Sequence, residues 1–338
     1  MKFGFTLPKL YEPGARDPYR HMYELCAFAE DLGFDFCATG HHSFTPDSGD
    51  ESAPFALLSA VAARTRRLRL ATGIYLLSLY HPVVVAEQLA TLDVISGGRA
   101  IFGIGVGYRG YEFRGHGMDQ ATRGPRTSEA MAAMRRAFET GRWGFEGRHW
   151  NIPDNAIHPR PVQSPHPPFW VGGTTDPALR RAATLGDGWM SDNMLDIDAE
   201  RERAGTYRRM CADAGRPAGT VCILRSCWVE PTRERALAAV LPPLRRFLET
   251  YKRAGTNLPF AKGVYGRIAH GETVGVDDLT PGRNLIGTPD DLNRELVRWR
   301  DEVGTDAMEL LILGPADFER LKAMLALFAR EVLPNFTA

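Results

Sequence analysis

The sequence predicts an α/β protein of the (β/α)8 TIM-barrel class, with an excursion before the last strand. Three observations carry this expectation. Residues 68–113 read as strand, loop, helix, strand and glycine loop without interruption. The strands are short, apolar runs with no polar alternation, as expected of strands buried on both faces of a parallel sheet. Strands and helices then alternate until eight strands are counted, and right-handed crossovers keep the helices outside. Eight such units close most simply into a barrel, with an open, doubly wound sheet as the alternative.

Taken in order, Lys2 to Pro8 reads as the first strand, and Pro18 to Leu32 has helical spacing ending at Gly33. Phe34 to Ala38 is a strand, Thr39 to Ser52 a polar loop and Ala53 to Arg66 a helix. Leu68 to Thr72 is the third strand. His81-Pro82 opens a helix, because proline suits a first turn where its missing N–H costs nothing, and Gly97-Gly98 stops it. Arg99 to Ile104 is a strand running into Gly103-x-Gly105-x-Gly107. A helix over 124–140 leads to a hairpin-like excursion over 143–163. Phe169 to Gly172, Gly188 to Ser191 and Val221 to Val229 read as strands, with helices over 176–185, 197–214 and 231–254. Residues 256–287 are glycine-rich and aperiodic. Helix 289–302, strand 307–312 and helix 316–332 finish a single domain spanning 1–338.

Composition excludes several classes of function. Lys+Arg and Asp+Glu are equal at 41 each, so there is no basic footprint for nucleic acid and no polybasic patch for a membrane. No apolar run is long enough to span a bilayer, and MKFGFTLPKL enters a strand directly, so no signal peptide is read. Cys26, Cys37, Cys211, Cys222 and Cys227 form no CxxC pair and no metal spacing, which suits a reducing cytoplasm.

On a barrel the chemistry gathers at the C-terminal ends of the strands. His41-His42 lies just past the second strand, in a loop that also holds Asp47, Asp50 and Glu51. Imidazole titrates near neutrality and suits proton transfer; the alternative is a loop histidine with no role. Gly105-Val106-Gly107 offers backbone room for a flat or phosphorylated ligand, or is simply a tight turn. Gly172-Gly173-Thr174-Thr175 ends a strand and opens a helix, so it reads as a phosphate cradle; helix capping by Thr175 or Asp176 is the alternative. Gly73-Ile74 begins an apolar segment that would serve as a floor for an aromatic cofactor, or as ordinary core. Arg16, Arg109, Arg123 and Arg283 stand in loops where they would meet an anion, or solvent.

These motifs meet a family. Gly33 to Phe44 (GFDFCATGHHSF), His81-Pro82, Leu92-Asp93-x-x-Ser96-x-Gly98-Arg99 and Tyr108-Arg109-x-x-Glu112-Phe113 belong to one pattern. Phe145-Glu146-Gly147, Pro159-Arg160-Pro161-Val162-Gln163, Pro167 to Gly173, Gly186-Asp187-Gly188-Trp189 and Ile286-Gly287-Thr288-Pro289 continue it. Over nearly its whole length the chain resembles the bacterial luciferase-like flavin monooxygenases, a superfamily that also holds coenzyme F420-dependent oxidoreductases. The resemblance puts His42 at the family's catalytic histidine and His41 where luciferases commonly have Glu; a slip of one residue exchanges them. It puts Gly73-Ile74 at a non-proline cis peptide beneath the isoalloxazine ring and Gly172 to Thr175 at the phosphate loop. Val106 stands where luciferase has an arginine, leaving the phosphate to Arg109 or to the helix end. F420-dependent sugar-phosphate dehydrogenases of the family carry a Glu after the glycine loop and a Trp four residues past the histidine; here these are Tyr108 and Pro46.

The resemblance therefore implies an FMNH2-dependent monooxygenase. A separate flavin reductase supplies reduced FMN, O2 adds to give a flavin hydroperoxide, and one oxygen atom enters a small organic substrate. Residues 256–287 would act as a lid, and the family implies a homodimer through the His81–Ser96 helix. Hydride transfer with F420 is the first alternative and a non-catalytic flavin-binding protein the second. The substrate is not legible in loops 43–52, 108–123 and 256–287.

Overall fold

Strand β1 (Lys2–Thr6) is followed by α1 (Arg20–Leu32), β2 (Phe36–Thr39), α2 (Pro54–Ala62) and β3 (Arg69–Thr72). Next come the two-residue β4 (Tyr75–Leu76), α3 (Pro82–Ser96), β5 (Ala100–Gly105), α4 (Gly110–Gly115) and α5 (Arg123–Thr140). A hairpin of β6 (Phe145–Glu146) and β7 (Asn151–Ile152) precedes β8 (Phe169–Gly172), α6 (Asp176–Leu185), β9 (Gly188–Met190), α7 (Ile197–Asp213) and β10 (Thr220–Val229). The chain ends with α8 (Arg233–Arg253), α9 (Gly263–Ala269), α10 (Val276–Leu279), β11 (Leu285–Gly287), α11 (Pro289–Arg298), β12 (Ala307–Ile312) and α12 (Phe318–Glu331). This is a computed structural model, and it describes residues 1–8, 10, 14–44, 53–253 and 263–336. The eight strands β1, β2, β3, β5, β8, β9, β10 and β12 make it a (β/α)8 barrel, the class the sequence predicts.

The chain divides into two compact units. One takes residues 1–34, 192–204 and 222–338. Its strands run in the order β11–β10–β12–β1, all parallel, with Gly4 opposite Glu309. Apolar packing drives the burial of β1: its Phe3, and Phe34 from the turn after α1, meet Phe328 of α12 at ring separations of 5.5 and 5.8 Å. Two buried charges interrupt this core. Arg225 donates to Glu200 Oε1 at 2.7 Å and lies 4.2 Å from the Trp299 ring. Glu309 accepts from Thr6 Oγ1 at 2.8 Å, and burial pushes its carboxyl up to about 7.

The other unit takes residues 35–191 and 205–221 and contains every residue singled out above between His41 and Thr175. Its strands run β2–β3–β5–β8–β9, again parallel, with the short β4 also on β5. All six residues of β5 are buried, as its unbroken apolar run requires. Several family motifs prove to be framework. Buried Asp93 accepts from the N–H groups of Val162 and Gln163 at 2.8 and 2.9 Å, fastening that loop to α3. Arg99 donates to the carbonyls of Ala62, Thr65 and Leu68, supplying partners where α2 ends. Such orphan carbonyls need donors, and one guanidinium provides several.

The structure departs from the sequence reading in three places. Helix α4 follows the glycine loop, where no helix was expected, and β4 adds a fragment to the third loop. The stretch 256–287, read as aperiodic, contains α9, α10 and β11 in its described part. Elements this short do not span enough turns to show a period. Residues 254–262, and the loop carboxylates Asp47, Asp50 and Glu51 with Pro46, lie outside the described residues.

Candidate active site

The site grows from the ends of β2, β3 and β5. Gly73-Ile74, just past β3, is a non-proline cis peptide, as the family resemblance implied. Ile74 then projects between neighbouring strands. A Cβ on Gly105 would lie 1.8 Å from Ile74 Cδ1, and one on Gly172 would lie 3.0 Å from it. A Cβ on Gly103 would meet the Thr72 carbonyl oxygen at 1.9 Å. These glycines are required by close packing inside the barrel wall, a reason the sequence reading does not contain; of the glycine loop, Gly107 has the positive φ of +73° that a turn uses. Ile74 and Gly73 are half-buried, whereas Tyr75, Leu76 and Leu77 are core.

Strand β4 links this floor to the histidines. The Leu76 N–H donates to His41 Nδ1 at 3.2 Å. His41 is buried, its ring 4.4 Å from that of Tyr75, and its Nε2 is 3.2 Å from the Tyr80 hydroxyl. Burial, then the neighbouring His42, lowers its pKa to about 4. His41 is therefore a neutral, fully engaged group at neutral pH. His42 differs. Its side chain is 14% exposed, and its Nδ1 lies 3.0 and 3.2 Å from the two oxygens of Glu112. The Tyr108 ring stands edge-on to it at 5.7 Å.

Glu112, on α4, is fully buried. Burial pushes its carboxyl up, but hydrogen bonds from His42 and the Ser43 N–H, with the charges of His42 and Arg109, outweigh this and leave it below the usual range. Ser43 N donates to Oε1 at 2.7 Å, and Ser43 Oγ is 3.0 Å from His116 Nε2. Glu112, Ser43, Tyr80 and His116 carried no assigned role in the sequence reading. The signal that would have found Glu112 is its place beside Phe113 in the block after the glycine loop, where it is the one acid in Tyr108 to Gly115.

The remaining predicted residues lie around this centre. The Val106 carbonyl accepts from Ser78 Oγ at 2.8 Å, which fixes the glycine loop. Arg109 donates to the Tyr108 and Tyr111 hydroxyls at 3.1 and 3.4 Å. Gly173 is held by Trp189 Nε1, which donates to its carbonyl at 2.8 Å. Thr175 precedes α6 but makes no side-chain cap hydrogen bond; only its carbonyl is used, by the N–H groups of Ala178 and Leu179. The capping alternative for Thr175 is thus not what the structure shows. With exposed Thr175 and half-buried Thr174 at the N-terminus of a ten-residue helix, the loop has the donors an anion needs. The half-buried floor and this donor loop together fit a flat, phosphorylated cofactor. Among the described residues no group of three His, Cys, Asp or Glu side chains is placed to hold a metal ion.

Known proteins share this architecture. A sequence model of the luciferase-like monooxygenase family matches residues 1–306. The oxygenase component of a flavin-dependent trigonelline monooxygenase from Acinetobacter baylyi is 28% identical over 94% of this chain and 90% of its own. An FMNH2-dependent dimethylsulfone monooxygenase from Pseudomonas putida is 26% identical over 92% of this chain and 86% of its own. A coenzyme F420-dependent tetrahydromethanopterin reductase from Methanopyrus kandleri shares the fold, with a TM-score of 0.79, 20% identity and 99% of each chain covered. The chain belongs to the luciferase-like monooxygenase family and is an enzyme of the oxidoreductase class.

Proposed function

We propose that this enzyme is an FMNH2-dependent monooxygenase that inserts one oxygen atom of O2 into a small organic substrate. The observation that carries the reading is the pair of His42 and buried Glu112 beside an apolar floor and a donor loop, all in one unit of the barrel. Reduced FMN, when bound, supplies the electrons that activate O2. Ile74 with Gly105 and Gly172 would meet the flat ring, and Thr174, Thr175 and the first turn of α6 would take the phosphate. Arg109 follows the glycine loop, in which Val106 offers no charge. His42, partly exposed and held by a carboxylate, is the residue that moves a proton at the reacting centre; His41, lowered to about 4 and engaged at both nitrogens, holds the loop.

Two relatives named as flavin or FMNH2 monooxygenases support FMN. The name of the trigonelline enzyme, an oxygenase component, supports a separate reductase as partner. Exposed Val84, Val94 and Ile95 on α3 support a homodimer through that helix, and five free cysteines support a reducing cytoplasm. Among the described residues no helix is long and apolar enough to cross a membrane. The stretch read as a lid, 256–287, is proposed as one only up to β11, whose residues are buried and paired with β10.

The test is turnover with 18O2. A panel of small organic compounds is incubated with the enzyme, FMN, NADH and a flavin reductase. Product carrying one 18O, lost in His42→Gln, supports the reading. Product formed without 18O in the presence of F420H2 overturns it in favour of hydride transfer, for which the same floor would accept a deazaflavin.

A further inference from the structure

The two adjacent histidines are held by opposite kinds of partner. His41 Nδ1 faces a backbone N–H, that of Leu76, which can only donate. Its Nδ1 is therefore the acceptor, its Nε2 carries the hydrogen, and that hydrogen goes to the Tyr80 hydroxyl. His42 Nδ1 faces Glu112, whose ionised carboxylate can only accept. His42 must carry its hydrogen on Nδ1. The lone pair is then on Nε2, which has no hydrogen-bond partner among the described residues.

We propose that Glu112 is a positioning residue that locks His42 in the Nδ1–H tautomer, so that His42 presents a proton acceptor at Nε2 to whatever occupies the site. This rests on the reading of His42 as the proton-transferring residue, and it adds a direction: His42 first takes a proton and then returns it.

The Ser43 N–H fixes the carboxylate beside His42. It donates to Oε1 of Glu112 at 2.7 Å, the same oxygen that lies 3.0 Å from His42 Nδ1, and Oε2 lies 3.2 Å from it. A glutamine at 112 keeps an oxygen whose two lone pairs can serve both Ser43 N–H and His42 Nδ1–H, so it does not test the lock. Glu112→Ala removes both accepting oxygens, leaves Nδ1–H without its acceptor and frees His42 to carry its hydrogen on Nε2. Glu112→Asp remains a pure acceptor and keeps the native form.

The experiment is long-range 1H–15N correlation on the full chain with 15N-labelled histidine, at pH 8 and without cofactor. His42 signals are assigned by their loss in His42→Gln. The proposal expects protonated Nδ1 and unprotonated Nε2 for His42 in the wild type, loss of that preference in Glu112→Ala, and the native pattern in Glu112→Asp. A wild-type His42 with its hydrogen on Nε2 overturns the proposal, and needs no variant to fold. An unchanged tautomer in a folded Glu112→Ala also overturns it. The spectrum is read on resting protein, so it succeeds or fails whatever the cofactor proves to be. In turnover, Glu112→Ala is expected to lose about 10²–10⁴-fold in kcat with KM little changed, the worth of a general base in the wrong protonation form.

Discussion

Glu309 sits on β12, 1% exposed, with Thr6 Oγ1 as its donor at 2.8 Å. Burial raises its carboxyl from 4.5 to about 7. The folded chain therefore keeps a proton here that the unfolded chain has released. The stabilisation is complete below about pH 4.5, where both states are protonated, and is lost as pH rises through about 7. A shift of about 2.5 units at about 1.4 kcal/mol each amounts to about 3 kcal/mol. Glu309→Gln keeps the side chain's shape and the oxygen that accepts from Thr6, but never ionises. Urea unfolding of both proteins from pH 4 to pH 8 measures the effect. The variant should gain about 3 kcal/mol relative to wild type across that range, all of it accumulating between about pH 4.5 and 7. A difference that stays flat with pH would refute the reasoning, because it would mean that Glu309 is no harder to ionise in the fold than in the open chain.

The remaining expectations concern the site. His41 has its pKa lowered from 6.5 to about 4, so its contribution is intact above 6.5 and lost as pH falls toward 4; His41→Asn, whose side-chain oxygen can take the Leu76 N–H, should flatten the acid limb of the stability–pH curve. Gly105→Ala drives a Cβ to 1.8 Å from Ile74 Cδ1 and should cost about 1–3 kcal/mol in thermal unfolding, with Ile74→Ala recovering part of it in the double variant. Thr175→Ala should weaken FMN several-fold in fluorescence titration and leave riboflavin unchanged, because the hydroxyl is not spent on capping α6.

Much of the fold was legible because buried parallel strands announce themselves as apolar runs, and β5 with α3 shows this most clearly. The site was legible only where residue type and loop position coincide, as at His41-His42 and Gly172 to Thr175. Two things could not be read. One is the division of labour between the histidines, which depends on whether Leu76 N–H or Glu112 faces Nδ1. The other is the reason for Gly103 and Gly105, which is the Thr72 carbonyl and the Ile74 side chain arriving from a neighbouring strand. Both are long-range contacts, and no local spacing encodes them. The same holds for Asp93 and Arg99, which the sequence offers only as part of a family pattern and whose partners show framework.

The most direct measurement is an anaerobic titration of the purified protein with FMNH2, FMN, F420H2 and F420. The account predicts saturable binding of FMNH2, weaker binding of FMN, and little response to either form of F420. Preferential binding of F420H2 would contradict the monooxygenase reading and turn the Glu112–His42 pair toward hydride chemistry.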